Sequence, residues 1–311
     1  MDALLIYRFG HRDDPVFNVQ VQAYIEEGKR INLNFIALDA TQALAFGSEH
    51  FSTLSFAFLL DYDLYVAEAF EAFGLPVYND VQTQLMSHDR GLLYLGLLSG
   101  NLSTPRFYVA PELSGAAYGD AIESIQEQIE RVGISYPYLI KPREGGLDDP
   151  GLFIPTPLSF VGYLHSHSHT PFVVEESLEG PHLLAFVIGK DCLVILEKTR
   201  SSSGEESLHK TDYDNRFVRA VAKEALAALG FPFGTVEIIL YGKIPTVIGV
   251  NPYFRTIEAE HVSHLPLANR LLLYMKRHYA KKAYEEIGEL AKRQKKTRSA
   301  IKILEARNPN D

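Results

Sequence analysis

The stretch Tyr136–Gly151, YPYLIKPREGGLDDPG, constrains this chain more than any other. Its apolar run Tyr138–Ile140 predicts a short strand that delivers Lys141. Pro142 keeps that lysine extended, because a proline disfavours helical backbone in the residue before it. A polar loop follows, with Gly145, Gly146 and Gly151 around Asp148, Asp149 and Pro150. Glycines let successive backbone N–H groups turn toward one point, and a lysine beside such an anion nest adds countercharge. The pattern predicts a phosphate site. The plainer alternative is a strand-end lysine followed by a surface turn.

A chain of 311 residues is long enough for about two domains and a large core. Its 46% hydrophobic and 22% charged residues place it with ordinary globular proteins rather than disordered or membrane-embedded ones. A formal net charge of −9 argues against a nucleic-acid partner. The charge is uneven: residues 276–311 hold eleven lysines and arginines against five acidic residues. This basic tail is read as a solvated helix face, with docking on an acidic second subunit or on an anionic partner as alternatives. A single cysteine, Cys192, excludes an intrachain disulfide, and its DCLVIL setting reads as a small buried apolar residue. MDALLIYRFG does not resemble a signal peptide and no apolar run reaches membrane-span length, so the expectation is a cytoplasmic protein with no membrane partner.

The chain opens as βαβ: a strand at Ala3–Phe9, a helix at Val16–Glu27 stopped by Gly28, and a strand at Ile31–Leu38. This argues for a parallel sheet. A helix at Asp61–Phe73 and a strand at Leu75–Tyr78 complete an N-terminal domain over 1–80. There is no GxGxxG and no GxxxxGK[ST], so neither a dinucleotide fold nor a P-loop is supported. Further on, the pattern predicts a helix at Ser87–Ser99, a strand at Phe107–Val109 and an amphipathic helix at Asp120–Val132. HSHSHT at His165–Thr170 reads as a solvated loop; if extended, its histidines share one face and could bind a metal. Pro171–Ser177 is a strand, and Leu183–Ile188 with Leu193–Glu197 is a hairpin. Arg200–Asp214 is a polar stretch without periodicity, the kind of long loop that is functional or mobile. Then come a helix at Arg216–Leu229, paired strands at Thr235–Tyr241 and Thr246–Val250, and a helix at Leu265–Tyr279.

Several motifs fall in a fixed order. Gly74-Leu75-Pro76-Val77-Tyr78-Asn79 precedes Ser87-His88-Asp89-Arg90. Ser103-Thr104-Pro105, Leu139-Ile140-Lys141-Pro142, the glycine loop and Val173-Val174-Glu175-Glu176 come next. Glu237 on a late strand and Val250-Asn251-Pro252 close the series. This ordered set resembles the ATP-grasp superfamily over roughly Gly74–Met275, about two thirds of the chain. Within it the chain looks most like glutathione synthetase and the glutamate ligases that modify ribosomal protein. The segment Arg255-Thr256-Ile257-Glu258-Ala259-Glu260 is similar to the one that follows the final asparagine in glutathione synthetases.

The resemblance implies an α/β protein of ATP-grasp fold: two α+β lobes, 81–175 and 176–279, clamping a nucleotide. The N-terminal βαβ domain would precede them and a basic helical tail, 280–311, would follow. It also implies ATP and Mg²⁺ as cofactors. Lys141 would contact the α- or β-phosphate, Gly145 and Gly146 would drape over the phosphates, and Arg90 stands where the family usually has a first lysine. The strand ending in Glu175 and Glu176 would face the adenine edge, with Glu179 or Glu176 at the ribose. Glu237 and Asn251 would give oxygens to Mg²⁺. Arg255 would meet a carboxylate or the transferred phosphoryl group, helped by Lys198, Arg200 and Lys210 from the polar loop. The implied reaction is ATP-dependent carboxylate–amine ligation through an acyl phosphate, on a small amino acid or peptide, by a homo-oligomer. Two departures stand out. Gly249 replaces the glutamate of the usual Glu-x-Asn, and Leu183 stands where glutathione synthetases have arginine. They motivate an alternative: a nucleotide-binding pseudoenzyme or regulatory scaffold with a degenerate metal site.

Overall fold

Strand β1 (Asp2–Tyr7) carries four consecutive buried residues, Ala3 to Ile6, which a strand covered on both faces requires. In this computed structural model, which describes residues 1–11, 14–112, 118–145, 151–201, 206–281 and 284–285, β1 is the inner strand of a parallel sheet. After it come α1 (Pro15–Arg30), β2 (Asn34–Asp39), α2 (Ala40–Ala45), β3 (Ala57–Leu59), α3 (Leu64–Ala72) and β4 (Val77–Tyr78), in the sheet order β2-β1-β3-β4. The chain thus leaves β1 toward one edge and returns to β3 on the other side. The predicted βαβ opening is present; β3, only three residues long, was not foreseen.

A helix that was not foreseen, α4 (Val81–His88), precedes the one expected at 87–99, which is α5 (Arg90–Ser99). Asp89 separates them with extended backbone, and its carboxylate accepts the Leu92 N–H at 3.0 Å, an N-cap on α5. The central sheet is antiparallel, in the order β5-β8-β6-β7. It is formed by β5 (Phe107–Val109), β6 (Tyr138–Pro142), β7 (Leu152–Ile154) and β8 (Phe172–Glu176), with α6 (Ile122–Arg131) after β5 and α7 (Pro157–Ser166) after β7. His165 lies in the last turn of α7 and His167 caps it, so the three alternate histidines do not share a strand face. Among the described residues no cluster of three or more His, Cys, Asp or Glu side chains is placed to hold a metal.

A third, antiparallel sheet has the order β11-β10-β9-β12-β13. Its strands are β9 (His182–Ile188), β10 (Asp191–Arg200), β11 (Glu206–Lys210), β12 (Phe233–Tyr241) and β13 (Ile244–Asn251), with α8 (Arg216–Leu229) between β11 and β12. Gly230 ends α8 in left-handed backbone, φ 73°, the conformation glycine adopts without cost. Helices α9 (Ile257–Ser263) and α10 (267–281) follow. The expectation of an unstructured loop over 200–214 is corrected: β11 pairs Arg200 with Glu206 and Lys198 with Leu208. Residues 202–205 and almost all of the basic tail lie outside the described residues. No helix among those described is long and apolar enough to cross a membrane.

One core joins the first sheet to the third: Tyr24, Phe56 and Phe58 pack with Phe186, Phe233 and Phe254 and with Leu267, Leu271 and Met275 of α10. The central sheet has a core of its own, built on Tyr138, Ile140, Phe160 and Phe172. Cys192 is buried, and burial pushes its thiol up to about 11, so it stays protonated at neutral pH. The joint between first and third sheets is also polar. The Tyr24 hydroxyl donates to the Phe254 carbonyl at 2.6 Å, and the Gln20 amide exchanges hydrogen bonds with Thr256, at 3.0 Å to its hydroxyl and 2.9 Å from its N–H. Tyr24→Phe removes a buried donor and leaves that carbonyl unpaired. The expected cost is about 1–2 kcal/mol, read as a lower urea midpoint at unchanged slope.

Candidate functional site

Lys141 stands near the end of β6, two residues along from Leu139, whose cross-strand neighbour on β8 is Glu175. The lysine reaches diagonally and its Nζ donates to Glu175 Oε2 at 2.7 Å, with the two side chains only 12% and 3% exposed. The second oxygen, Glu175 Oε1, is buried and has no hydrogen-bond partner. Arg90, buried at the start of α5, donates from Nη1 to the Pro142 carbonyl at 2.7 Å, while its N–H bonds the Arg143 carbonyl at 2.9 Å. Thus α5 is tied to the loop that leaves β6. Tyr94 on the same helix donates to the Ile248 carbonyl of β13 at 3.0 Å. Burial, then the Glu175 charge, pushes the Tyr94 phenol well above its ordinary value. Gly151 is required here: a β-carbon at that position would stand 2.5 Å from Lys141 Cγ and 2.8 Å from the Ile140 carbonyl. Gly145, at φ 144°, donates its N–H to the His88 carbonyl at 3.1 Å. Gly146 lies outside the described residues.

A cavity of about 720 Å³ opens between the first and third sheets. Lys198, Glu206, Glu237, Asn251 and Arg255 line it from one side, and His11, Asp14, Phe17 and Gln20 from the other. Glu237 on β12 has Gly249 directly across on β13, and Thr235 has Asn251. Burial alone would raise the Glu237 carboxyl. The hydrogen bond from His182 Nε2 (3.3 Å) and the charges of Lys198, His182 and Lys141 outweigh it, so the group is held below its ordinary 4.5 and is ionised at neutral pH. Lys141, on a different sheet and not among the residues that line the cavity, reaches Glu237 through its charge alone. Asn251 Oδ1 accepts the Tyr253 N–H at 2.8 Å, which fixes the amide at the end of β13.

Other positions named from the sequence go elsewhere or are engaged. Lys198 and Arg200 both bond Glu206, each at 2.8 Å, so the two cations share one carboxylate. Glu176 is held by Arg106, whose N–H and Nε donate at 2.9 and 2.7 Å. Glu179 and Lys210 are exposed, the first between β8 and β9 and the second at the end of β11. Leu183 is fully buried and packs with Val236 and Val250, away from the cavity, so its departure from arginine removes nothing from this face. Its neighbour His182 faces Glu237. Leu184 and Phe186, two and four residues on along β9, line the cavity, and strand alternation puts them on the same face as His182. Tyr94, Glu206, His11 and Asp61 were not singled out by the sequence.

Three sheets in this chain order, parallel then antiparallel then antiparallel, are the ATP-grasp fold. Solved structures agree. Over 92% of this chain and 99% of the other, it superposes on the D-alanine–D-alanine ligase from Bacillus anthracis complexed with ATP, with a TM-score of 0.72 at 14% identity. The RimK-domain ATP-grasp protein from Sphaerobacter thermophilus gives 0.66 at 17% identity, covering 88% of this chain and 98% of that one. The ATP-grasp ligase PsnB, complexed with a phosphomimetic variant of its minimal precursor, Mg and ADP, gives 0.63 at 14% identity, covering 88% and 97%. No family model and no curated protein matches the sequence.

Proposed function

We propose that this chain is an ATP- and Mg²⁺-dependent, ADP-forming carboxylate–amine ligase acting on an amino acid or peptide. The observation that carries the reading is Glu237: an ionised carboxylate on the cavity wall, beside Asn251, in the field of Lys141 from the opposite sheet. The residues fit the nucleotide. The orphaned Glu175 Oε1 is an acceptor for an amino group such as that of adenine, and the Arg90 guanidinium bonds the carbonyl of Pro142, the residue after Lys141. Glu237 and Asn251 are hard oxygen donors of the kind Mg²⁺ takes, with phosphates and water completing its shell. Bound Mg²⁺ would neutralise charge on the phosphates during transfer. Arg255 and Lys198 supply countercharge along the cavity, with Arg200 and Lys210 further out on β10 and β11, and Glu179 is the carboxylate left for the ribose. In support, the folds it shares include ligases solved with ATP and with Mg and ADP.

A second reading has its own observation. The position directly across from Glu237, where a second carboxylate would bridge two ions, is Gly249. That favours a nucleotide-binding regulator without turnover. Calorimetric titration of the purified chain with a non-hydrolysable ATP analogue, with and without Mg²⁺, is the first test, and Mg²⁺-dependent binding is expected. ADP release against pooled amino acids and dipeptides is the second. Binding without turnover selects the regulator; no binding ends both readings.

A further inference from the structure

In an open α/β sheet, ligands sit beyond the carboxyl ends of the strands where the strand order reverses. Here that point lies between β1 and β3, because the chain runs from β1 to β2 on one side and crosses back to β3 on the other. Two titratable residues meet there. His11 lies in the short 3₁₀ turn after β1 (Phe9–His11), and Asp61 follows β3. His11 Nδ1 is 2.9 Å from Asp61 Oδ2, and the same oxygen accepts the Arg8 N–H at 2.9 Å. The carboxylate is thereby fixed between the backbone and the ring. Phe17 of α1 packs on the imidazole with centroids 4.6 Å apart, which holds the ring plane. His11 is also a wall of the 720 Å³ cavity that Glu237, Asn251 and Arg255 line from the far side.

A carboxylate on Nδ1 makes that nitrogen the donor, which leaves Nε2 as a lone-pair acceptor. The imidazole is the one group on the first-sheet side of the cavity so held by a carboxylate, among the described residues. We infer that His11 is the base that deprotonates the attacking amine, and that Asp61 is its positioning residue. The inference rests on the ligase reading and extends it to the second half of the reaction. An ammonium substrate must lose one proton to expose its lone pair. Attack then forms the C–N bond and breaks the C–O bond to phosphate. Of the two protons the nitrogen sheds, His11 Nε2 takes one and later yields it to solvent, and the departing phosphate keeps the other. The amine would therefore lie at the end of the cavity lined by His11, Asp14 and Gln20, and the activated carboxylate at the end lined by Glu237 and Arg255.

The experiment compares two nucleophiles. Purified full chain, His11→Gln and Asp61→Asn are supplied with ATP, Mg²⁺ and a pool of amino acids and dipeptides, with or without hydroxylamine. Hydroxylamine is largely neutral at pH 7 and needs no base, whereas the pool's own amines are ammonium ions. His11→Gln is expected to keep hydroxamate formation within about twofold and to lose amide formation by about a hundredfold, the usual scale of a positioned base. Asp61→Asn should fall between. Long-range ¹H–¹⁵N spectra of the imidazoles, taken without nucleotide, should show His11 protonated at Nδ1 and bare at Nε2, and this should change in Asp61→Asn. Equal losses with both nucleophiles, or no loss of amide, or a wild-type Nε2 that carries the proton, would overturn the assignment while leaving ligation intact. A wild type silent with both nucleophiles overturns the ligase reading, and the base falls with it.

Discussion

Lys141→Met is expected to lower folding stability by about 3–5 kcal/mol, far beyond the effect of losing a surface charge. The reason is its partner. Glu175 is 3% exposed, and its Oε1 already lacks a hydrogen bond, so removing the ammonium strands a whole carboxylate in the interior. Glu175→Gln alone does the reverse and leaves a buried cation. Combining the two removes both charges, and most of the loss should return, because a desolvated ion pair stabilises little over a neutral pair of similar shape. Urea midpoints for the four proteins of this cycle give the coupling directly. Additive losses would mean the pair is better solvated than its contacts indicate. The double variant also separates folding from function: it should be stable, and on the proposed ligase reading, with Lys141 at the phosphates, it should fail to bind the ATP analogue.

The second large effect is at Gly249. Gly249→Glu places a carboxylate directly across the β12–β13 ladder from Glu237, in a buried position. Without Mg²⁺ the like charges should cost about 1–3 kcal/mol and lower the melting temperature by several degrees. Mg²⁺ should reverse the loss, and nucleotide affinity in its presence should rise about tenfold or more. Turnover that appears only in this variant would identify the natural protein as a regulator; an already active enzyme that gains nothing would keep the ligase reading. Glu237 supplies the pH control. Its folded value lies below 4.5, so its contribution to stability is complete above that pH and is lost as pH falls through the lower folded value. Glu237→Gln should flatten that acid-side decline, and an unchanged profile would mean that His182 and Lys198 do not hold the charge.

The parts of this molecule that could be read from sequence are those where one residue type serves one physical need. Lys141 before a proline, Gly230 after an amphipathic run and the β12–β13 hairpin about Gly242 and Lys243 were each legible for that reason. Strand β11 was not, because ESLHK is an edge strand with one apolar residue, Leu208, and hydrophobic alternation is silent there. Helix α4 was not legible because VQTQLMSH carries few apolar residues and no clear stripe, so the helical pattern was read only from Ser87 onward. The site divides along the same line. Residues carried by the order of motifs, such as Lys141, Glu237 and Asn251, could be named. Partners set by folding alone could not: Glu206 neutralises Lys198 and Arg200, and His11 meets Asp61 across fifty positions of sequence. No local pattern records such a meeting.

The separate core of the central sheet has a mechanical consequence. The first and third sheets share one interior, so the cavity between them is walled by elements of one packed core. The layer from β5 to β8 has its own interior on one face, while Val173, Phe107 and Val109 pack on a second core shared with α5, α8 and the third sheet. Any swing of this layer to admit a nucleotide would have to slide that shared face over α5 and α8. The pocket for the molecules to be joined would keep its shape throughout, and the buried Lys141–Glu175 contact would ride with the moving half.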